Sequence, residues 1–339
     1  MENRFAKQQK FYPIGTKGQE GLAQSTVAIV GCGALGSAAA DTLARAGVGR
    51  LLLVDRDYVE ISNLHRQPLY TEADARDMMP KVEAAKNRLA AVNSEVVVET
   101  WMDHADAALI EWLAQRSDLL IDGTDNFETR LVINDASVKH GIPWIYGACV
   151  GATSVVMPFI PEEGPCFRCL LPVLPSSAET CDTAGVIAPA VYITAAFQCA
   201  EALKWLTGNA DSMRRDMLRI DAWTNEKHAF GVKKMKRSDC PSCGAERTYP
   251  ALSQSDETKA ALLCGRDTVQ LTPGAGRTLT LEDGERIAEK QQLKHKRTPY
   301  FLQITFGEHR IVLFQNGRLF FHGMQDIKQA LKIYNQLFS

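Results

Sequence analysis

The chain has 339 residues, of which 45% are hydrophobic and 23% are charged, and its formal net charge is −2. Such a composition is typical of a soluble globular protein and gives no reason to expect nucleic acid or an anionic membrane as a partner. The N-terminus has neither the basic nor the apolar region of a signal peptide, and no window approaches about 18 uninterrupted apolar residues, so we expect a cytoplasmic protein without a membrane span.

Up to about residue 150, short apolar runs alternate with amphipathic stretches. The apolar runs are "TVAIVG", "LLLVD", "VVVET", "LLIDGTD" and "PWIYGAC", and the predicted helices span residues 35–46, 80–92, 105–115 and 127–140. Strands of four to six apolar residues that alternate with helices indicate a parallel sheet covered on both faces.

The pattern changes after residue 150. "TSVVMPFI" predicts an antiparallel return strand, residues 191–208 a helix that ends at a glycine, and "MLRIDAWT" with "HAFGVKK" a hairpin. We therefore predict an α/β fold with a Rossmann-like sheet whose parallel strands continue into antiparallel ones. This first domain spans residues 1–248. A polar linker at 249–258 then leads to a small C-terminal α+β unit at 259–339, in which we find no chemistry.

The first apolar run leads into a glycine-rich turn. Gly31, Gly33 and Gly36 form a GxGxxG motif between a strand and a helix, and Asp55 ends the next strand. Such glycines bring the backbone close to phosphate at a helix N-terminus, and such an acid accepts hydrogen bonds from ribose hydroxyls. The motif predicts an adenine nucleotide but does not distinguish NAD from ATP.

The residues after Asp55 narrow the choice between NAD and ATP. "DRDYVEISNLHRQ" places Asp57, Asn63 and Arg66 in the loop after the second strand, and Lys81 opens the next helix. A cation there opposes the helix dipole and gains from a nearby anion, although a solvated surface lysine is the alternative. Together with Arg66 it predicts two cations that reach the phosphates of a triphosphate.

Acidic residues follow the fourth strand in "LLIDGTDNFETR". Asp125, with Asn126 beside it, lies where a carboxylate near phosphates could bind Mg²⁺. Asp125 equally suits the N-cap of the helix that follows.

Nine cysteines include two C-x-x-C pairs, Cys166 with Cys169 and Cys240 with Cys243. If both pairs share one Zn²⁺, the site is structural, because four thiolates leave no open position for a substrate. Thioredoxin-like redox pairs are the alternative. Cys181 lies in a polar loop and is either a nucleophile or a passive loop thiol.

Several motifs in this order resemble the ThiF/MoeB/HesA family of adenylyltransferases, which are related to ubiquitin-activating enzymes. They are "GCGALGSAAADTLARAGVG", "DRDYVEISNLHRQ", "PKVEAAKNRL", "DGTDN" and the two cysteine pairs. The resemblance is nearest to sulfur-carrier adenylyltransferases of Firmicutes that have an extended C-terminus. It implies a homodimer that uses Mg·ATP to adenylate the C-terminal glycine of a ubiquitin-like sulfur-carrier protein. A separate sulfur donor, such as a cysteine desulfurase, then supplies the sulfur of a thiocarboxylate.

The family's site residues carry over by position. The implied nucleotide site consists of Arg4, Lys7, Gly31, Gly33, Gly36, Asp55, Asp57, Asn63, Arg66, Lys81, Asp125 and Asn126. Asp55 would bind the ribose, Asn63, Arg66 and Lys81 the phosphates, and Asp125 the Mg²⁺. The four paired cysteines would hold zinc.

Two family features concern other parts of the chain. Cys181 matches the position that in ThiF-type members carries a sulfur-linked bond to the carrier. Lys7 stands where the family has an arginine that reaches the ATP of the other subunit, and lysine supplies the charge without the bidentate fork.

Three other functions stay open. A MoaD-type carrier for molybdopterin could replace the ThiS-type carrier for thiamine that we favour. An NAD-dependent oxidoreductase would explain the glycines and Asp55 but leave Arg66, Lys81 and Asp125 unexplained. A non-catalytic adaptor for ubiquitin-like proteins should lack the phosphate cations.

Overall fold

The structure, a computed structural model, describes residues 3–173, 184–253, 259–262, 267–272 and 279–338. The chain divides into two units, Met1–Gln254 and Ser255–Ser339. Among the described residues, no helix is long and apolar enough to cross a membrane.

The first unit is built on an eight-stranded sheet. Its strands are β1 (Thr26–Val30), β2 (Arg50–Val54), β3 (Val97–Trp101), β4 (Leu119–Asp122), β5 (Trp144–Val150), β6 (Thr153–Phe159), β7 (Asp216–Asp221) and β8 (Glu226–Gly231). Their order is β3-β2-β1-β4-β5-β6-β7-β8. The first five strands are parallel, and β6, β7 and β8 continue the sheet in antiparallel pairs. The predicted fold class is confirmed.

Helices cover both faces of this sheet. They are α1 (Ala6–Gln9), α2 (Gly15–Gln24), α3 (Ala34–Ala46), α4 (Glu72–Arg76), α5 (Lys81–Val92), α6 (Ala107–Ala114), α7 (Phe127–His140), α8 (Phe167–Leu170) and α9 (Ala188–Leu206). Side chains of β1 alternate between two cores, with Val27 and Ile29 in the one that includes α3, α5 and α9. Ala28 and Val30 belong to the other, which includes α6 and α7. Burial on both faces explains why this strand is apolar from Val27 to Val30.

The strand order reverses between β1 and β4. Consecutive strands proceed outward as β1, β2 and β3 on one side, and β4 and β5 lie on the other. In open α/β sheets, ligands bind outside the carboxyl ends of the strands at such a point. The loops after β1 and β4 therefore border the position where a sheet of this kind binds its ligand.

The second unit is an antiparallel sheet with two helices. Its elements are β9 (Lys259–Leu262), β10 (Thr268–Thr272), α10 (Leu281–Lys290), β11 (His295–Arg297), β12 (Phe301–Phe306), β13 (His309–Phe314), β14 (Leu319–His322) and α11 (Ile327–Phe338). The strand order is β11-β12-β13-β14-β10-β9. One sheet face packs on both helices, so the unit has a core of its own. The predicted α+β unit is confirmed.

The boundary between the units was predicted at residues 249–258. Pro250–Leu252 forms a 3₁₀ turn, and Ala251 and Leu252 pack against the core that includes α6 and α7. Residues 254–258 lie outside the described part of the chain, so the linker stays a prediction.

Candidate nucleotide site and four-cysteine centre

Glycines shape the loop between β1 and α3. Gly31 has a positive φ of 89°, and a Cβ there would lie 2.6 Å from the Gly123 carbonyl oxygen in the loop after β4. A Cβ on Gly36 would overlap the carbonyl oxygen of Gly31. A Cβ on Gly33, by contrast, would meet no atom within 4 Å. Gly31 and Gly36 are thus required by packing, whereas Gly33 borders open space at the N-terminus of α3, where an anion is favoured.

Asp55 ties this loop to the one after β2. Its Oδ2 accepts a hydrogen bond from the Cys32 N–H at 2.7 Å, and its Oδ1 accepts one from the Asp57 N–H at 2.8 Å. Burial raises the pKa of the Asp55 carboxyl above its usual range. Tyr70, which the sequence did not single out, donates its buried hydroxyl to the Cys32 carbonyl at 2.5 Å. The Cys32 residue is therefore held through both its N–H and its carbonyl.

Lys81 is buried at the first turn of α5. Its side chain lies 3.2 Å from Oδ2 of Asp57, and only 4% of the residue is exposed. The alternative of a solvated surface lysine is wrong. Through Asp57, this cation is linked to Asp55 and so to the glycine loop.

Asn63 and Arg66 lie in the same loop as Asp57. Asn63 is buried, and its Oδ1 accepts a hydrogen bond from the Glu60 N–H at 3.1 Å. Arg66 is half-buried and donates to the Ser62 carbonyl at 2.9 Å. Asn63 thus braces the loop, and a phosphate contact by either side chain stays a prediction.

The loop after β4 separates the roles of its polar residues. Asn126 is the N-cap of α7, since its side chain accepts a hydrogen bond from the Thr129 N–H at 2.9 Å. The alternative assignment of Asp125 as this cap is wrong. Asp125 is exposed at the start of α7, which leaves its carboxylate accessible to a cation.

A buried polar network lies beneath this loop, and sequence reasoning missed it. Arg130 donates to Asp122 at 2.9 Å and to the carbonyls of Thr124 and Gly147. Gln198 of α9 donates to the carbonyl of Asp122 at 2.8 Å. These bonds fix the end of β4 to α7 and α9. No local pattern in the sequence marks these residues, because both helices carry other charged side chains as well.

Three predicted residues are not placed at this site by the structure. Arg4 donates to the Val92 carbonyl at 2.8 Å, and Lys7 is exposed on α1. Cys181 lies outside the described residues. The proposed roles of all three stay predictions.

The four paired cysteines form one buried cluster. Their sulfurs all lie within 4.8 Å of one another, with Cys166 3.6 Å from Cys240 and Cys169 3.5 Å from Cys243. Tetrahedral Zn²⁺ with Zn–S bonds of about 2.3 Å places its sulfurs about 3.8 Å apart, so the set fits zinc. The single cluster favours a metal centre over two separate redox pairs.

Similarity to characterised proteins extends over the whole chain. The sulfur carrier protein ThiS adenylyltransferase of Bacillus subtilis is 43% identical over 99% of this chain and 99% of its own length. The sulfur carrier protein adenylyltransferase of Thermus thermophilus is 36% identical over 74% of this chain and 93% of its length. The molybdopterin-synthase adenylyltransferase of Escherichia coli is 36% identical over 67% and 90%.

The fold has counterparts among solved structures. The crystal structure of E. coli MccB with ATP superimposes with a TM-score of 0.62 and 23% sequence identity, and covers 72% of this chain and 75% of that one. At this identity the match shows the fold alone. The ThiF family model matches residues 5–242, from α1 to within the second cysteine pair, and the chain belongs to the ThiF family.

Proposed function

We propose that the protein uses Mg·ATP to adenylate the C-terminal glycine of a ubiquitin-like sulfur-carrier protein and releases pyrophosphate. The observation that carries the proposal is the buried Lys81. This cation is linked through Asp57 and Asp55 to a glycine loop that borders open space at the switch point of the sheet. The names of the relatives support the same activity for this chain.

The residue types suit this chemistry. A carboxylate that attacks the α-phosphate of ATP brings two anions together, so the site must supply positive charge. Arg66 supplies positive charge from the loop after β2, and Lys81 supplies it from α5. Asp125 would hold the Mg²⁺, which offsets the charge that develops on pyrophosphate. No general base is needed because the attacking carboxylate is already ionised.

A ThiS-like carrier is the favoured substrate. Its support is the relative that matches this chain over 99% of both lengths and therefore includes the C-terminal unit. A MoaD-like carrier is the second candidate, because the molybdopterin-synthase adenylyltransferase matches 67% of this chain at 36% identity. The cytoplasmic location, the homodimer and the cysteine desulfurase as sulfur donor stay predictions.

The test incubates the protein with Mg·ATP and either a ThiS-like or a MoaD-like carrier, and follows pyrophosphate and the intact mass of the carrier. We expect release of pyrophosphate and a carrier that has gained one AMP. A carrier without its C-terminal glycine is the control and should give neither. Tight NADH binding without pyrophosphate release would favour an oxidoreductase. Carrier binding without NADH binding and without pyrophosphate release would favour an adaptor.

A further inference from the structure

Asp135 is a buried carboxylate of α7. It is completely inaccessible to solvent and lies about one and a half helical turns beyond Arg130. Oδ1 accepts hydrogen bonds from the Ser242 hydroxyl at 2.5 Å and from the Asn134 amide at 3.0 Å. Oδ2 accepts from Arg168 Nη2 at 3.0 Å and from the Ala251 N–H at 2.9 Å. Four donors hold this buried carboxylate in one position.

Two of these donors come from within the cysteine pairs. Arg168 lies between Cys166 and Cys169, and Ser242 lies between Cys240 and Cys243. Arg168 also donates from Nε to the Ser242 hydroxyl at 2.7 Å. Asp135, Arg168 and Ser242 thus form a closed triangle of hydrogen bonds that crosses from one cysteine pair to the other without passing through sulfur.

The neighbouring residue on α7 adds to this connection. The side chain of Asn134 accepts a hydrogen bond from the Phe167 N–H at 2.8 Å, in the segment that carries the first pair. One turn of α7 therefore contacts both cysteine-bearing segments and the 3₁₀ turn that follows the second.

We propose that Asp135 is a positioning residue of the four-cysteine centre, which holds the two cysteine pairs in register and slows release of the metal. Without the carboxylate, Arg168 and Ser242 lose their shared acceptor, and of the triangle only the bond between Arg168 and Ser242 still joins the two cysteine pairs. Partners one shell beyond the metal ligands commonly change metal affinity by about 10–100-fold. This role is independent of the adenylation chemistry and of the choice of carrier.

The test measures zinc release from the full-length zinc-loaded protein into an excess of a chromogenic chelator. Asp135→Asn retains the shape of the side chain, but its amide N–H₂ must face donors on one side. We expect release to be about 10–100-fold faster than in the unchanged protein. Ser242→Ala removes the hydroxyl's bonds to Asp135 and Arg168 but keeps the bond between Asp135 and Arg168, and it should accelerate release by a smaller factor. The double variant should release zinc no faster than Asp135→Asn alone, because both changes break one network.

Glu111→Gln is the matched control. Glu111 is a half-buried carboxylate on α6 that pairs with Lys139 and His140 of the same α7. This variant should release zinc at the unchanged rate. Near-ultraviolet circular dichroism at the assay temperature verifies that each variant is folded. The absorption of Co²⁺-substituted protein reports whether the four-sulfur geometry is altered.

Zinc release from folded Asp135→Asn at the rate of Glu111→Gln would overturn the proposal. If Asp135→Asn does not fold, Ser242→Ala decides. Release at the unchanged rate in that variant would show that the triangle does not hold the metal. Additive effects of the two changes would also contradict a single network.

Discussion

Lys81 combines two unfavourable conditions for a cation. It is the first residue of α5, where the helix dipole is positive, and it is removed from solvent. The ion pair with Asp57 compensates for part of this cost. The geometry keeps the ammonium group near the glycine loop instead of in solvent, which is the arrangement that a site for a polyphosphate requires.

Replacing Lys81 by methionine should abolish most of the activity. The change keeps the length of the side chain and removes the charge, so we expect carrier-dependent pyrophosphate release to fall by about 10²–10³-fold, as for loss of one transition-state donor. Steady-state kinetics with saturating carrier provide the measurement. Lys86→Met, an exposed lysine on the same helix, is the control and should retain activity. Equal activity in both variants would contradict the assigned role.

Alanine substitutions at two glycines of the nucleotide loop should affect protein stability and ATP binding separately. Gly36→Ala places a Cβ on the carbonyl oxygen of Gly31, and we expect it to lower the free energy of unfolding by about 1–3 kcal/mol. Gly33→Ala has room for its Cβ and a φ of −73°, so it should fold normally but weaken ATP binding, because the methyl group occupies the space near the phosphates. Denaturant unfolding and calorimetric titration with ATP measure the two effects. The reverse pattern would exclude a phosphate at Gly33.

Helix α7 connects the two centres of the first unit. Its first turn follows Asp125, its second contains Arg130, and Asp135 reaches the cysteine segments. A rigid helix moves as one body, so a displacement at one end also displaces the other. The N-cap of α7 fixes the end beside Asp125 and therefore bears on function as well as on stability.

Alanine substitutions at two adjacent residues should distinguish the helix cap from the proposed Mg²⁺ ligand at the start of α7. Asn126→Ala removes the cap and should cost about 1 kcal/mol in unfolding free energy. Asp125→Ala alters an exposed side chain and should change stability by less than about 0.5 kcal/mol while it abolishes adenylation. Thermal unfolding and pyrophosphate release measure the two outcomes for each variant. An active Asp125→Ala protein would remove Asp125 from the proposed Mg²⁺ site.

Helices and strands were predictable from the sequence where their own residues carry a clear hydrophobic pattern. The amphipathic stretches yielded α3, α5 and α7 within a residue or two, and the alternating apolar runs yielded the central strands. Helix α2 was missed because its sequence contains three glycines, which disfavour a helix. In the structure, a Cβ on Gly21 would lie 3.0 Å from the Leu206 carbonyl, so packing against the end of α9 favours glycine there. Strand β11 was missed because its residues are all polar.

The same distinction applies to the site. The glycine loop, Asp55 and each cysteine pair lie within short segments whose spacing indicates their chemistry. Tyr70 is separated from its partner Cys32 by 38 positions, Gln198 from Asp122 by 76 and Asp135 from Ser242 by 107. No local pattern reports such pairings, because they depend on which surfaces the fold brings together.

The first unit contains all the described parts of both centres. Its two cores and the four cysteines all lie before residue 253, whereas the second unit has a separate core. Each unit thus has the apolar interior that an independently folding domain requires.

A chain truncated after Ser253 should therefore fold, bind zinc and release pyrophosphate. One truncated after Thr248, at the boundary predicted from sequence, loses Ala251 and Leu252 from the core and the Ala251 bond to Asp135. We expect this shorter chain to have a lower melting temperature and to lose zinc more readily. Calorimetry and metal analysis of the two proteins provide the comparison. Identical behaviour would show that the 3₁₀ turn is dispensable.

The contact between the loops after β1 and β4 constrains how this site can change. Gly31 and Gly123 meet backbone to backbone, so no side chain separates the loop that faces the nucleotide from the loop that leads to Asp125. Main-chain atoms set the distance between the two loops, so a side-chain substitution elsewhere in either loop does not change it. Insertions, by contrast, would separate the two loops. Variation in specificity is therefore more accessible at the loop after β2 and in the antiparallel half of the sheet, where side chains form the surface.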